Sequence, residues 1–293
     1  MNERSTSHED ASQALVARFA EWAAERDDIR AMFIVGSRAR TDRPADRWSD
    51  LDLVFLTTDP EPYLDDGGWL GGFGPVLLTF VEETLVPGIR ERRVLFEDGR
   101  DVDLVPIPVG SLPDMRAAAG DVIRRGMRVL VDKDGEVDAL LTAAAGQRPE
   151  PTAEDRPSAD SYNGLVDDVL YHLLWTARKI ARGELWTARS CLEGYLRWRL
   201  LAMVEWHARV VRGVQDTWFE GRFLETWADP RMLAGLADAS SRYDRADLVR
   251  ALHAAAALTR QLGREVGSAM GYEYPEARHE RLMALVGACL EEG

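Results

Sequence analysis

Lysine is nearly missing from this chain: only Lys133 and Lys179 stand against 34 arginines. Cysteine is equally scarce. Cys191 and Cys289 fall in no metal-ligand spacing, which points to a reduced, cytoplasmic protein. None of the five histidines pairs with another at zinc spacing, so no zinc site is expected. No apolar run is long enough to cross a bilayer, and the first residues lack the charged–apolar–small order of a signal peptide, so no membrane partner is expected. There is no internal repeat and no sustained low-complexity tract. Positive charge is in the minority, and the formal net charge is −14. A nucleic-acid partner would want a basic stripe, so none is expected; an acidic surface instead draws in a cationic small molecule.

The chain does contain a tight glycine turn followed by paired carboxylates. The apolar run Ala31 to Val35 reads as a buried strand ending at Gly36. Gly36 lets the backbone bend closely around a ligand, and Ser37 offers a hydroxyl and an N–H to an oxyanion. Asp50 to Leu56 reads as a second strand, on which Asp50 and Asp52 leave the same face. Two carboxylates side by side repel, and a hard divalent cation relieves the repulsion.

A third carboxylate follows the turn signal Asp98-Gly99, in a strand over Asp101 to Pro106 that the proline is expected to end. Asp101 and Asp103 share a face, and spacing does not choose between them; Asp103 is taken as the metal ligand with Asp50 and Asp52. Three aspartates on adjacent strands suit magnesium chemistry on a nucleoside triphosphate. Arg38 and Arg40 follow the turn, as phosphate contacts or as braces of the turn itself.

The chain divides in two. A helix is expected over Ser12 to Arg26, then strands and turns to about Pro108, with loop or short helical turns over Thr57 to Gly74 and a helical stretch over Leu112 to Arg125. Proline and charge concentrate between Gln147 and Asp160, the expected linker. Beyond it Ala, Leu, Arg and Trp recur at helical spacing. The expected fold class is therefore α/β: residues 1–146 a mixed sheet with helices, 147–160 a linker able to hinge, 161–293 an all-helical bundle that binds substrate. Oligomeric state is left open, with a monomer the default.

Gly36-Ser37-Arg38, Trp48-Ser49-Asp50-Leu51-Asp52-Leu53 and Asp101-Val102-Asp103-Leu104 resemble the motifs of the nucleotidyltransferase superfamily. With Ile29-Arg30-Ala31, Val131-Asp132-Lys133-Asp134, Val204-Glu205-Trp206-His207 and Tyr272-Glu273-Tyr274-Pro275-Glu276, the resemblance narrows to the aminoglycoside 6-adenylyltransferases, also called streptomycin adenylyltransferases. It runs over nearly the whole chain. It implies a polymerase-beta-like first domain and magnesium-dependent transfer of AMP from ATP to an aminoglycoside, streptomycin above all, with pyrophosphate released. Transfer to another small hydroxylated metabolite or to a protein is the alternative. A catalytically dead binding protein is the third reading, and it would have no use for a repulsive carboxylate cluster.

On the helix expected from about Ser161 to Arg182, Asp168, His172, Trp175 and Lys179 form one stripe, opposite Val169, Leu173, Ala177 and Ile180. The resemblance implies that Asp168 acts as general base and Lys179 binds the triphosphate, and Asp167 competes with Asp168 for the first role. His207 is expected as a hydrogen-bonded helix histidine. Tyr272 and Tyr274 either stack on adenine or pack in the core, with Pro275 marking a helix boundary at the surface. Glu82-Glu83 and Asp65-Asp66 are expected to be solvated pairs.

Overall fold

The computed structural model describes residues 3–40, 45–84, 86–111, 126–145, 156–217 and 219–292. Residues 112–125, where a helix is expected, and most of the expected linker lie outside them. The chain separates into two compact units, Met1–Arg148 and Pro149–Gly293.

The first unit opens with α1 (Glu3–Ala24) and then builds a sheet from β1 (Ile29–Val35), β2 (Leu51–Thr57), β3 (Val76–Glu83), β4 (Arg90–Phe96), β5 (Asp101–Pro108) and β6 (Arg128–Asp132). The short helix α2 (Glu61–Asp65) lies between β2 and β3, and α3 (Glu136–Ala145) follows β6. Strand order is β3-β4-β5-β2-β1-β6, with β2 and β5 parallel and every other neighbour antiparallel. The alternation of the strands sorts their residues onto two faces. Met32, Ile34, Leu51, Leu53, Phe55, Val102 and Leu104 pack with Leu15, Val16 and Phe19 of α1. Ala31, Phe33, Val54, Leu56 and Ile107 pack with Val137 and Leu140 of α3. Apolar residues on both faces of β1 and β2 are what a covered central pair of strands requires.

Pro106 does not end its strand. β5 runs on to Pro108, with Pro106 opposite Phe55. β4 pairs with β5 only as far as Leu104, so beyond it β5 has, among the described residues, a neighbour on one side alone. There the proline's missing N–H leaves no ladder bond unmade.

The segment Val131-Asp132-Lys133-Asp134 is a structural staple. Lys133 Nζ donates to the carbonyls of Ala23 (3.1 Å) and Arg26 (2.6 Å), at the C-terminal end of α1, where a cation is favoured. Asp134 pairs with Arg30 on β1.

The second unit is helical: α4 (Ala159–Ala181), α5 (Leu185–Ser190), α6 (Arg197–Val210), α7 (Leu224–Trp227), α8 (Pro230–Asp238), α9 (Arg245–Met270) and α10 (Glu276–Glu292). Ser158 caps α4 by accepting from Ser161 N, and Asp244 caps α9 by accepting from Asp247 N. Val169, Leu173, Ala177 and Ile180 are fully buried, and Asp168, His172, Trp175 and Lys179 are half-buried on the other side of α4. A single π-turn, Cys191–Leu196, joins α5 to α6. Tyr274 is buried rather than superficial, with its hydroxyl 2.8 Å from His279 Nδ1, and the Tyr272 hydroxyl donates to the Pro157 carbonyl. Both rings are thus spoken for by the unit's own packing. Among the described residues no helix is long and apolar enough to cross a membrane. The mixed sheet followed by a helical region is the α/β arrangement expected from the sequence.

Candidate active site

The register of the two parallel strands sets the chemistry. Asp52 on β2 stands opposite Asp103 on β5, and Val35, the last residue of β1, stands opposite Asp52. Asp50, one step before β2, joins them, and one carboxylate oxygen from each of Asp50, Asp52 and Asp103 lies within 4.8 Å of the others. The register therefore groups Asp103, not Asp101, with the pair on β2. Asp101 lies two residues earlier, exposed at the strand start.

Gly36 makes this approach possible. Its φ of +69° is in the left-handed region, and a Cβ there would overlap Asp52 Oδ2. Glycine is required at this position on both counts. A short 3₁₀ turn, Gly36–Ala39, follows, in which Ser37 Oγ is buried and has no hydrogen-bond partner among the described residues. Arg38 braces the turn: its Nε donates to the Asp50 carbonyl at 2.8 Å and its Nη2 to the Ser49 carbonyl at 2.7 Å. Arg38 thus ties the glycine turn to the residue carrying the first carboxylate. The loop before Asp50 is fixed locally, because Asp46 Oδ1 accepts from Trp48 N (2.8 Å) and Ser49 Oγ accepts from Asp46 N (3.0 Å).

Asp103 is a strongly perturbed acid. Burial pushes its pKa up to about 7; Arg93 pulls the other way, and Asp52, Glu91 and Asp50 push it further up. Arg93 Nη1 lies 2.8 Å from Asp103 Oδ2, while its Nε reaches Glu82 at 2.7 Å and Glu91 at 3.3 Å. Glu82 is therefore one of the partners of an arginine beside the site, not merely a solvated acid. Asp103 Oδ1 is buried and has no hydrogen-bond partner among the described residues. An unpartnered carboxylate oxygen among hard oxygen donors is what a magnesium ion takes as a ligand, so the residues fit the metal that the family implies.

A cleft of about 670 Å³ opens between α1 and the Gly36–Ala39 turn, lined by Leu15, Ser37, Arg38, Arg40, Arg100 and Arg128 among others; Asp50, Asp52 and Asp103 are not in its wall. Its volume is in the range of small-molecule sites, and its arginines suit an anion.

The second unit carries its own constellation. Asp168 accepts from the Tyr195 hydroxyl (3.0 and 2.9 Å) and from Arg199 Nε (2.8 Å), with His172 Nδ1 at 3.0 Å. The π-turn Cys191–Leu196 contains Tyr195, and Arg199 follows one helical turn later. Neither partner was singled out from the sequence, though their i, i+4 spacing was there to be read. Asp167 instead pairs with Arg278 of α10. The two candidate bases are thus held by different partners. Lys179 is paired with Glu184 at 2.7 Å and sits 5.1 Å over the Trp175 ring. Eleven residues of helix separate it from Asp168, about 16 Å along the axis. His207 is buried, with Nε2 2.8 Å from Glu265, as a hydrogen-bonded helix histidine should be.

A profile of the family described as streptomycin adenylyltransferase matches residues 10–287. Similar proteins include an aminoglycoside 6-adenylyltransferase of Bacillus subtilis (strain 168), 24% identical over 271 residues that cover 90% of this chain and 93% of that protein. Another, from Campylobacter jejuni, is 22% identical over 84% of this chain and 85% of its own length. Among solved structures, an aminoglycoside 6-adenyltransferase from Bacillus subtilis aligns over 94% of this chain and 97% of that one, at 20% identity and a TM-score of 0.45. With the profile spanning nearly its full length, the chain belongs to the streptomycin adenylyltransferase family.

Proposed function

We propose that this protein transfers AMP from magnesium-bound ATP to a hydroxyl of an aminoglycoside, streptomycin at its 6-position first of all, and releases pyrophosphate. The observation that carries this reading is the convergence of Asp50, Asp52 and Asp103 beside the Gly36–Ser37 turn. Residues 1–146 form the catalytic domain, 147–160 the linker and 161–293 the acceptor-binding domain.

Asp50, Asp52 and Asp103 would hold magnesium, which when bound neutralises phosphate charge and polarises the reacting oxygens. Gly36 admits the nucleotide to the backbone, and Ser37 supplies a hydroxyl and an N–H to its phosphates. Arg38 serves by bracing the turn, and Arg40 adds charge in the cleft. Asp168 takes the proton of the acceptor hydroxyl as that oxygen bonds to the α-phosphorus. The bond from the α-phosphorus to the bridging oxygen breaks, and its electron pair leaves with pyrophosphate. Lys179 would have to leave Glu184 to meet a phosphate. The net charge of −14 favours a cationic acceptor by long-range attraction. ATP as donor and a role in resistance place the activity in the cytoplasm.

Mass spectrometry of streptomycin incubated with the protein, ATP and magnesium tests the proposal. A product heavier by one adenylyl group is expected. Pyrophosphate release with a different acceptor would discard streptomycin. No transfer to any member of a broad acceptor panel would discard the reading.

A further inference from the structure

One row of side chains crosses the sheet from the carboxylate cluster to an arginine that the proposed reaction leaves unused. Directly opposed residues leave the same face of a sheet, so Asp52 on β2, Asp103 on β5 and Arg93 on β4 stand side by side. Arg93 Nη1 lies 2.8 Å from Asp103 Oδ2.

The guanidinium is anchored from its other side. Its Nε donates to Glu82 at 2.7 Å, with Glu91 at 3.3 Å, and the Arg93 carbonyl accepts from Thr79 Oγ1 at 2.8 Å. Glu91 lies two residues back on β4 and Glu82 stands opposite it on β3, so both acids share the arginine's face. A planar fork held at Nε has little freedom left at Nη1. The two oxygens of Asp103 therefore differ. Oδ2 is taken by an arginine, whereas Oδ1 is buried and has no hydrogen-bond partner among the described residues.

We infer that Arg93 confines Asp103 to a single metal-coordinating oxygen and thereby makes the Asp50–Asp52–Asp103 site select magnesium over calcium. This rests on the metal site of the proposed function. Calcium takes about six to eight oxygens and accepts carboxylates that offer both of theirs, whereas magnesium demands a near-ideal octahedron. An Asp103 with both oxygens available suits the larger ion, and Arg93 withdraws one of them. Charge alone does not select, because both ions carry the same charge and a nearby guanidinium repels them alike. Arg93 acts through Asp103, as a positioning residue.

The test is manganese binding followed by electron paramagnetic resonance, with magnesium or calcium as competitor and no nucleotide. The site is counted as the manganese that wild type binds and Asp103→Asn loses. In Arg93→Met the affinity for calcium relative to magnesium is expected to rise about tenfold, the worth of one further charged contact. Loss of the guanidinium's charge moves both affinities together, so their ratio isolates the oxygen it releases. A ratio within about threefold of wild type would overturn the inference, whatever the two separate affinities do, and would leave the metal site standing. If a far-ultraviolet melt shows that Arg93→Met does not fold, Glu82→Gln carries the test. Glu82 is exposed, and loosening its hold on Nε is expected to raise the ratio in the same direction; an unchanged ratio would overturn the inference. Absence of any such manganese site in wild type would instead overturn the metal reading on which the proposed reaction depends.

Discussion

Gly36 lies so close to Asp52 that a methyl group on its α-carbon would overlap the carboxylate oxygen. The contact joins the end of β1 to the start of β2 and leaves no room for any other residue at position 36. Gly36→Ala is therefore expected to combine backbone strain with displacement of Asp52. The strain alone should cost about 1–3 kcal/mol of stability. Denaturant unfolding would measure that cost, and calorimetry would show magnesium-dependent ATP binding weakened further than stability explains.

Asp103 should make metal binding and stability depend on pH in opposite ways. Its folded-state pKa, raised by burial to about 7, lies above the unfolded value of about 3.9. The metal-free protein therefore holds the proton more tightly than the unfolded chain does. The resulting stability is present below about pH 4 and is lost as pH rises through about 7. Asp103→Asn should accordingly be more stable than wild type at pH 8, with a smaller difference at pH 5, when urea midpoints are compared. Because a ligand carboxylate must give up its proton, manganese or magnesium affinity of the wild type should rise between pH 6 and pH 8. A flat profile would remove Asp103 from the ligand set.

Asp168 and Asp167 are adjacent yet held by different partners, which separates the two candidates cleanly. Asp168 meets Tyr195, Arg199 and His172, while Asp167 meets Arg278. Asp168→Asn is expected to lower kcat by about 10²- to 10⁴-fold, the usual contribution of a general base, and Asp167→Asn to leave it within about threefold. If Asp168→Asn kept turnover within about threefold of wild type, the general-base assignment would be dropped. Lys179→Met provides a companion measurement: a raised KM for ATP would mean that the Glu184 pair opens during the reaction, and an unchanged KM would leave Lys179 a structural residue.

Lys133 should matter for folding and not for chemistry. Its ammonium closes the end of α1 through two carbonyls, so Lys133→Met should cost about 1 kcal/mol in denaturant unfolding. Its kcat should match wild type.

The local elements around the candidate site that match the sequence reading are those encoded by local rules. A strand ending in glycine, an alternating pair of carboxylates and a helix with one apolar stripe each follow from spacing along a few residues. Tyr195 and Arg199 escaped notice because their meeting with Asp168 spans 27 and 31 positions and depends on a π-turn that no periodicity announces. Arg93 escaped for a related reason. It reaches Asp103 only because β4 and β5 are neighbours, with Arg93 opposite Asp103 in register. Pro106 was read as a strand end because its tolerance depends on where a neighbouring strand stops.

The sequence by itself determined which residues could do chemistry and on what kind of element each would lie. It also determined, through motifs spread along the chain, the family. Only the tertiary structure decided which of Asp101 and Asp103 joins Asp50 and Asp52, because that choice is made by the register of two strands some fifty residues apart. It likewise decided which cations are already committed to partners and which face a cleft. Spacing in sequence fixes a side chain's direction on its own element, but a partner on another element is fixed only when backbone hydrogen bonding locks the register and packing sets the distance.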